Sequence, residues 1–226
     1  MDTEDANTTA DALPPLDPIE ARILGCLVEK AATTPEVYPL TLNALVAACN
    51  QKTSREPVMH LEPGAVAHTL RGLEDKRLVK VAPSSQRALR YEHRFESRWN
   101  VTARQRAVLC VMLLRGPQTP AELLARVERL ADFHSLDDVR DTLERLLQRE
   151  PALVAALPLA HGQREIRYMH LLGGPLDLEA LAAAETSPVA AHNADLAERV
   201  ERLEAEVAAL REALEAMRAA ASGEPD

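Results

Sequence analysis

Histidine and cysteine are the residue types of this chain that most often carry catalysis or hold a metal. The seven histidines show no H-x-x-x-H spacing and the three cysteines show no C-x-x-C spacing, so no metal site is predicted. Phosphate loops of the G-x-x-x-x-G-K-[ST] or G-x-G-x-x-G type and the G-x-S-x-G nucleophile motif do not occur in the sequence. We therefore expect a non-enzyme with no catalytic residues, no cofactor and no bound metal.

The cysteines also indicate the cellular compartment. Cys26, Cys49 and Cys110 lie in apolar helical patterns, and an odd number without paired spacing favours reduced thiols in a cytoplasmic protein. The acidic start of the chain does not resemble a signal peptide. No stretch approaches the ~20 apolar residues that cross a bilayer. We expect no membrane partner.

Cationic side chains are the remaining candidates, because they could bind the phosphates of nucleic acid. Two lie in the polar loop NQKTSREP (50–57), two on the exposed face of the helix that follows, and the others at the end of that helix and at a strand turn. An alternative for the loop is a turn whose own hydrogen bonds fix the neighbouring helices. The candidate nucleic-acid-binding residues are Lys52, Arg55, His68, Arg71, Lys76, Arg77 and Arg87.

The distribution of charge is compatible with such a partner, although the net charge is −9. Residues 1–20 carry −6 and residues 173–226 carry −8, whereas residues 21–100 carry +4 and residues 101–172 carry +1. The local field within a Debye length of ~8–10 Å is what a partner experiences, because more distant charges are screened. The acidic ends of the chain therefore do not exclude DNA binding by a basic first half.

Three helices and two strands are predicted to position these cations. Asp17 is a good N-cap of the first helix, and Glu20 completes a capping box. Thr41 is predicted to cap a second helix, and a third starts near Pro63. The predicted strands are RLVKVA (77–82) and ALRYEHRF (88–95).

The second half of the sequence repeats this order. Thr102 and Gln105 form a capping box, and Gly116 ends the helix. Two further helices are predicted to start after Thr119 and Ser135. The predicted strands are LVAALP (153–158) and IRYMHLL (166–172).

An internal duplication explains why two halves share one pattern. RYEH (90–93) and RYMH (167–170) lie 77 positions apart, and neighbouring segments match in the same order, which indicates a repeated unit of roughly 75 residues. Alternation is predicted to direct Leu89, Tyr91, His93 and Phe95 inward, and likewise Ile166, Tyr168, His170 and Leu172. Arg90 and Arg167 would then face water; the functional alternative is that both touch phosphates.

A heptad pattern near the end of the chain predicts a coiled coil. Its apolar positions alternate by four and three residues, with valine and leucine placed as in parallel dimers, so we expect a homodimer. The alternative is a helix that folds back on its own chain. The predicted dimerisation residues are Leu196, Val200, Leu203, Val207, Leu210, Leu214 and Met217.

Four segments resemble those of a known bacterial family. EARILGCLVEK (20–30) followed by YPLTLNALVAACNQKTSREPV (38–58) is similar to the YceH-like proteins, as are LLRGPQTPAELLARVERL (113–130) and REIRYMHLLGG (164–174). The resemblance covers about residues 17–174. It implies two winged-helix domains in tandem and supplies no mechanism and no functional residues.

Together these observations predict a mainly α protein with small β-hairpins, built as two tandem winged-helix domains plus a C-terminal coiled-coil helix. The predicted domains are a disordered acidic tail (1–16), winged-helix domain 1 (17–99), winged-helix domain 2 (100–173), a linker (174–192), the coiled-coil helix (193–221) and a disordered end (222–226).

Two functions fit this organisation. In the first, the protein is a dimeric regulator that binds double-stranded DNA through its first winged-helix domain. In the second, it is an adaptor whose winged-helix domains contact a protein partner within a larger assembly. The acidic third helix of the second domain favours the adaptor, and the basic first domain favours DNA.

Overall fold

Three helices followed by two paired strands occur in this order in both halves of the chain. The structure is a computed structural model that describes residues 14–83, 88–159 and 165–177. The first repeat contains α1 (Pro18–Thr33), a 3-10 turn (Pro35–Val37), β1 (Leu40–Thr41), α2 (Leu42–Cys49), α3 (Pro63–Asp75), β2 (Val79–Val81), β3 (Arg90–His93) and α4 (Phe95–Trp99). The second contains α5 (Ala103–Arg115), α6 (Pro120–Val127), α7 (Leu136–Leu147), β4 (Val154–Ala156) and β5 (Tyr168–His170). The prediction of a mainly α protein with small β-hairpins is confirmed.

The helix starts follow the predicted capping chemistry. The Asp17 carboxylate accepts hydrogen bonds from the backbone N–H groups of Ile19 and Glu20, both at 2.8 Å, and Glu20 accepts from the Asp17 N–H at 3.0 Å. Such reciprocal bonds satisfy donors that the first turn of a helix leaves without partners. Equivalent capping boxes join Thr102 to Gln105 and Thr119 to Glu122, and single caps come from Thr41 and Ser135.

Each repeat has a small antiparallel sheet. In the first repeat β3 lies between β1 and β2, and Tyr91 pairs with Leu40 on one side and Val81 on the other. In the second repeat β4 pairs with β5, and Tyr168 also bridges to Gln118. The short β1 pairing was not predicted, because two residues carry no alternation pattern.

Two predicted inward positions are wrong. Leu89 is 59% exposed and Ile166 is 47% exposed, because each precedes the paired part of its strand. Phe95 is buried as predicted, but it begins helix α4 rather than extending the strand. Tyr91 and Tyr168 are partly buried and pack against the core.

The two repeats share one hydrophobic core. Helices α1 and α5 are buried on nearly all sides, as expected for central helices, and they pack against each other. The contact is close because Gly25 has no side chain: a Cβ there would lie 2.9 Å from Leu114 Cδ2 and 3.2 Å from Leu113 Cβ. The Cys110 thiol also donates to the Gly25 carbonyl at 3.4 Å.

Backbone hydrogen bonds reinforce this contact. The Glu56 N–H donates to the Leu114 carbonyl at 2.8 Å, and the Leu16 N–H donates to the Leu172 carbonyl at 2.9 Å. The described residues up to Pro175 belong to one compact unit, so the division between residues 99 and 100 stays a prediction. None of the described helices is both long and apolar enough to cross a membrane.

Candidate nucleic-acid interface

Helix α3 buries one face and leaves the other open. Val66, Leu70 and Leu73 are at most 1% exposed and anchor the helix on the core of the first repeat. The side chains of His68 and Arg71 form no ion pair or hydrogen bond with any described residue. The open face comprises Gly64, Ala65, His68, Arg71 and Asp75.

The loop between α2 and α3 is fixed by its own hydrogen bonds. The Asn50 side chain bonds to Leu61 twice, donating to its carbonyl at 2.9 Å and accepting from its N–H at 2.7 Å. This is the alternative considered for the loop, a turn that fixes the two helices. Lys52 nevertheless points its side chain into solvent from this rigid loop, without an ion-pair partner among the described residues.

Arg55 is buried, and the expectation that it is free to bind phosphate is wrong. Its side chain is 0% exposed, and its guanidinium donates to both oxygens of Glu29, at 3.0 and 2.6 Å. It also donates to the Ala48 carbonyl at 3.0 Å and to Gln51 Oε1 at 2.9 Å. Burial alone would raise the pKa of Glu29, but the hydrogen bonds and charge of Arg55 outweigh it and lower that pKa.

A second buried arginine supports the same loop. Arg22 lies in the second turn of α1, is 1% exposed, and donates to the Cys49 carbonyl at 3.1 Å and the Pro57 carbonyl at 2.6 Å. Ala48 and Cys49 end α2, where carbonyl groups have no partner within the helix. Arg55 and Arg22 therefore cap α2 from outside and hold the loop against α1.

The two predicted cations at the end of α3 differ in their surroundings. Lys76 donates to both carboxylate oxygens of Glu20 at 2.7 Å and is 23% exposed, so it joins α3 to the start of α1. Arg77 is exposed and has no such partner among the described residues. Lys76 therefore stabilises the fold by pairing with Glu20, and Arg77 remains a candidate for contacting nucleic acid. Arg87 lies outside the described residues.

Arg90 is also structural in this fold. Its guanidinium donates to the Pro39 carbonyl at 2.8 Å and to the Val37 carbonyl at 3.4 Å, which ties β3 to the segment before β1. Next to it, the Tyr38 hydroxyl accepts from the His93 N–H at 2.7 Å. The first RYEH segment thus holds the sheet together rather than presenting its arginine to solvent.

The corresponding helix of the second repeat, α7, carries acidic side chains on its exposed face. Asp138 pairs with Arg104 at 3.1 Å and accepts from the His134 N–H at 2.9 Å, while Asp137 pairs with Arg140 at 3.1 Å. Asp141 and Glu144 are exposed. Phosphate groups would be repelled here, whereas on the open face of α3 the charges of Arg71 and Asp75 balance.

The reactive side chains do not assemble into a catalytic or metal site within the described ranges. Cys26, Cys49 and Cys110 are buried and free, and burial raises the pKa of the Cys110 thiol well above its ordinary value. In the part of the chain that the structure describes, no three His, Cys, Asp or Glu residues are placed to hold a metal ion.

Sequence reasoning missed the buried ion pairs. Glu20 was predicted only as a cap residue and no role was predicted for Glu29, but each neutralises a cation brought to it by the fold. One signal was present: Arg22 interrupts the otherwise apolar run of residues 21–28 in α1, all of which are buried. A charge inside such a run predicts a buried, bonded arginine. The predicted dimerisation residues (196–217) lie outside the described residues.

Comparison with known proteins identifies the family. Residues 16–163 match the family described as "Protein of unknown function, DUF480". A UPF0502 protein of Mesorhizobium japonicum is 53% identical over 208 residues, covering 92% of this chain and 99% of its own length. A UPF0502 protein of Xanthomonas campestris pv. campestris (strain B100) is 56% identical over 211 residues, covering 91% and 94%. The resemblance predicted from the four segments is confirmed, and the chain belongs to this uncharacterised bacterial family.

Proposed function

We propose that the protein is a non-enzymatic, cytoplasmic DNA-binding protein, and a candidate transcriptional regulator, that docks on double-stranded DNA through its first repeat. The observation that carries the proposal is the open face of α3 and its surroundings. Lys52 in the preceding loop, His68 and Arg71 on the helix, and Arg77 just after it are exposed, and among the described residues none has an ion-pair partner. Exposed side chains without an ion-pair partner, three of them the cations Lys52, Arg71 and Arg77, suit phosphate contacts.

The order of elements supports this docking mode. Three helices followed by a strand pair is the order of a winged helix, whose third helix enters the major groove. Gly64 and Ala65 begin the open face of α3, and the absence of long side chains there would let the helix start approach DNA closely. The loop carrying Lys52 is held rigidly by buried arginines, which lowers the entropy lost on binding.

The proposed active form is a homodimer joined by the C-terminal heptads. Two first repeats in one dimer would contact two half-sites, which multiplies the phosphate contacts. Truncation after Gly174 should then give a monomer by light scattering, with weaker DNA binding. A truncated protein that stays dimeric would place the dimer interface elsewhere.

The DNA proposal is tested by fluorescence anisotropy of the full-length protein with a mixed-sequence duplex, titrated from low to physiological salt. Lys52→Gln combined with Arg71→Gln and Arg77→Gln should weaken binding at any sequence, and the salt slope should fall by about one per lost phosphate contact. Arg145→Gln, an exposed arginine of α7 without an intramolecular partner among the described residues, is the matched control. Unchanged DNA affinity in the triple variant refutes this docking surface. So does a control that loses as much DNA affinity for its one removed charge as the triple variant loses for each of its three.

An adaptor role is the second candidate, and the acidic face of α7 favours it. Asp141 and Glu144 are exposed, and Leu159 and Ile166 add exposed apolar surface in the second repeat. Such a surface suits a protein partner with basic side chains. Two results together would support the adaptor over the DNA-binding protein. The first is no DNA binding even at low salt, and the second is capture of a protein partner whose binding is abolished by Asp141→Lys.

A further inference from the structure

A cleft of about 250 Å³ lies between the two repeats, away from the open face of α3. The first repeat contributes Glu29 and Thr33 from α1 and Ser54 from the α2–α3 loop. The second repeat contributes α5, α6 and the turn after α6, with Val111 and Leu114 forming apolar wall. This space is smaller than the ~300–1,000 Å³ of typical drug-sized or cofactor sites, so it suits a small metabolite.

Three arginines of the second repeat line the cleft. Arg115 donates to the Ser54 hydroxyl at 2.7 Å and has no carboxylate partner among the described residues. Arg129 is exposed and forms neither an ion pair nor a hydrogen bond within the described part of the chain. Arg126 is partly neutralised by Glu122, at 3.3 Å. Arg115 and Arg129 therefore have N–H groups available to donate to a ligand.

The carboxylates of the cleft do not cancel this positive charge. Glu29 is already neutralised by the bidentate contact with Arg55 behind the cleft wall, and Glu128 is exposed at its rim. Burial, and next the positive charge of Arg126, lowers the pKa of Arg115. The positive charges of Arg115 and Arg126 thus repel each other, and an anion placed beside them would relieve this repulsion.

We propose that this cleft binds a small molecule carrying a phosphate or carboxylate group. Arginine presents paired N–H donors that match the oxygens of either group, and Arg115 and Arg129 would hold it. The Ser54 hydroxyl accepts from Arg115 and keeps its own proton to donate to a ligand oxygen. Val111 and Leu114 would contact the carbon skeleton. The proposal does not depend on DNA binding.

The test is a pair of NMR titrations of the full-length protein that follow the arginine Nε–Hε signals. Inorganic phosphate is added in one and succinate in the other, with sodium chloride at equal ionic strength as reference. We expect a saturable shift of the Arg115 and Arg129 signals with at least one anion, with half-saturation in the millimolar range or below. A response to phosphate alone assigns a phosphate ligand, and a response to succinate alone assigns a carboxylate.

Two variants separate a specific site from general anion binding. Arg129→Gln removes an exposed side chain without intramolecular bonds among the described residues, so the fold should persist while anion affinity falls about tenfold. Arg115→Gln should have at least the same effect, and Arg145→Gln on α7 should leave affinity unchanged. Linear, unsaturated shifts with both anions, or the same affinity in Arg129→Gln as in the natural sequence, would overturn the site.

Discussion

Replacing Arg55 with methionine tests whether a buried charge network holds the α2–α3 loop. Arg55→Met keeps much of the side-chain volume but removes the hydrogen bonds to Glu29, to Gln51 and to the Ala48 carbonyl. The Glu29 side chain is 15% exposed and would lose its bidentate partner. The remaining cation, Lys30, is 3.4 Å away and only partly compensates.

The size of the effect follows from this burial. Removing one partner of a buried ion pair costs about 3–5 kcal/mol, because the other charge stays desolvated. The residual exposure of Glu29 and its contact with Lys30 place the expected loss near 3 kcal/mol at neutral pH. With a urea m-value of about 2 kcal/mol/M, the unfolding midpoint should fall by roughly 1.5 M.

The assay is urea unfolding followed by circular dichroism, with two further proteins for comparison. Arg145→Met, at an exposed position of α7, should change the free energy of unfolding by less than about 0.5 kcal/mol. Glu29→Gln combined with Arg55→Met should recover part of the loss, because no unpaired charge remains. A loss below about 1 kcal/mol in Arg55→Met, or one equal to that of the control, would refute the buried network.

Two further predictions concern the contact between the repeats and a buried histidine. Gly25→Ala should be less stable than Gly64→Ala by about 1–3 kcal/mol in the same urea assay. The reason is that a Cβ at Gly25 meets Leu114, whereas a Cβ at Gly64 meets nothing within 4 Å. Equal stability of the two variants would contradict the close α1–α5 contact. Burial lowers the pKa of His170 from 6.5 to about 4, so the neutral form stabilises the fold above pH 6.5, and about 3 kcal/mol is lost as the pH falls from there to about 4. His170→Gln should remove this part of the pH dependence of the unfolding free energy, and parallel curves for the two proteins would argue against a buried neutral histidine.

Local chemistry made the helices readable from the sequence. Asp17 with Glu20 and Thr102 with Gln105 sit at the helix starts where capping predicts them, because cap bonds form between residues three apart. The strand pairs were predictable for a similar reason, since alternation and turn residues are local properties. Helix α4 was missed because five residues carry too little periodicity.

The roles of the charged residues could not be predicted in this way. Lys52 and Arg55 lie three positions apart in one polar loop, yet one is exposed and the other is 3% exposed. Arg55 is buried because α1 brings Glu29, 26 positions earlier, against the loop. Lys76 meets Glu20 across 56 positions for the same reason. Partners so distant in the chain leave no spacing signal.

The sequence by itself determined the capped helices, the strand pairs and the family, because each depends on neighbouring residues or on direct similarity. The tertiary structure alone decided which cations are free. Packing of α1 on α5 and on the α2–α3 loop buries Arg22 and Arg55 as helix caps, and it creates the cleft where Arg115 and Arg129 lie without carboxylate partners among the described residues. A buried arginine is stable only when its N–H groups are hydrogen-bonded within the protein, whereas the N–H groups of an exposed arginine can bind a ligand.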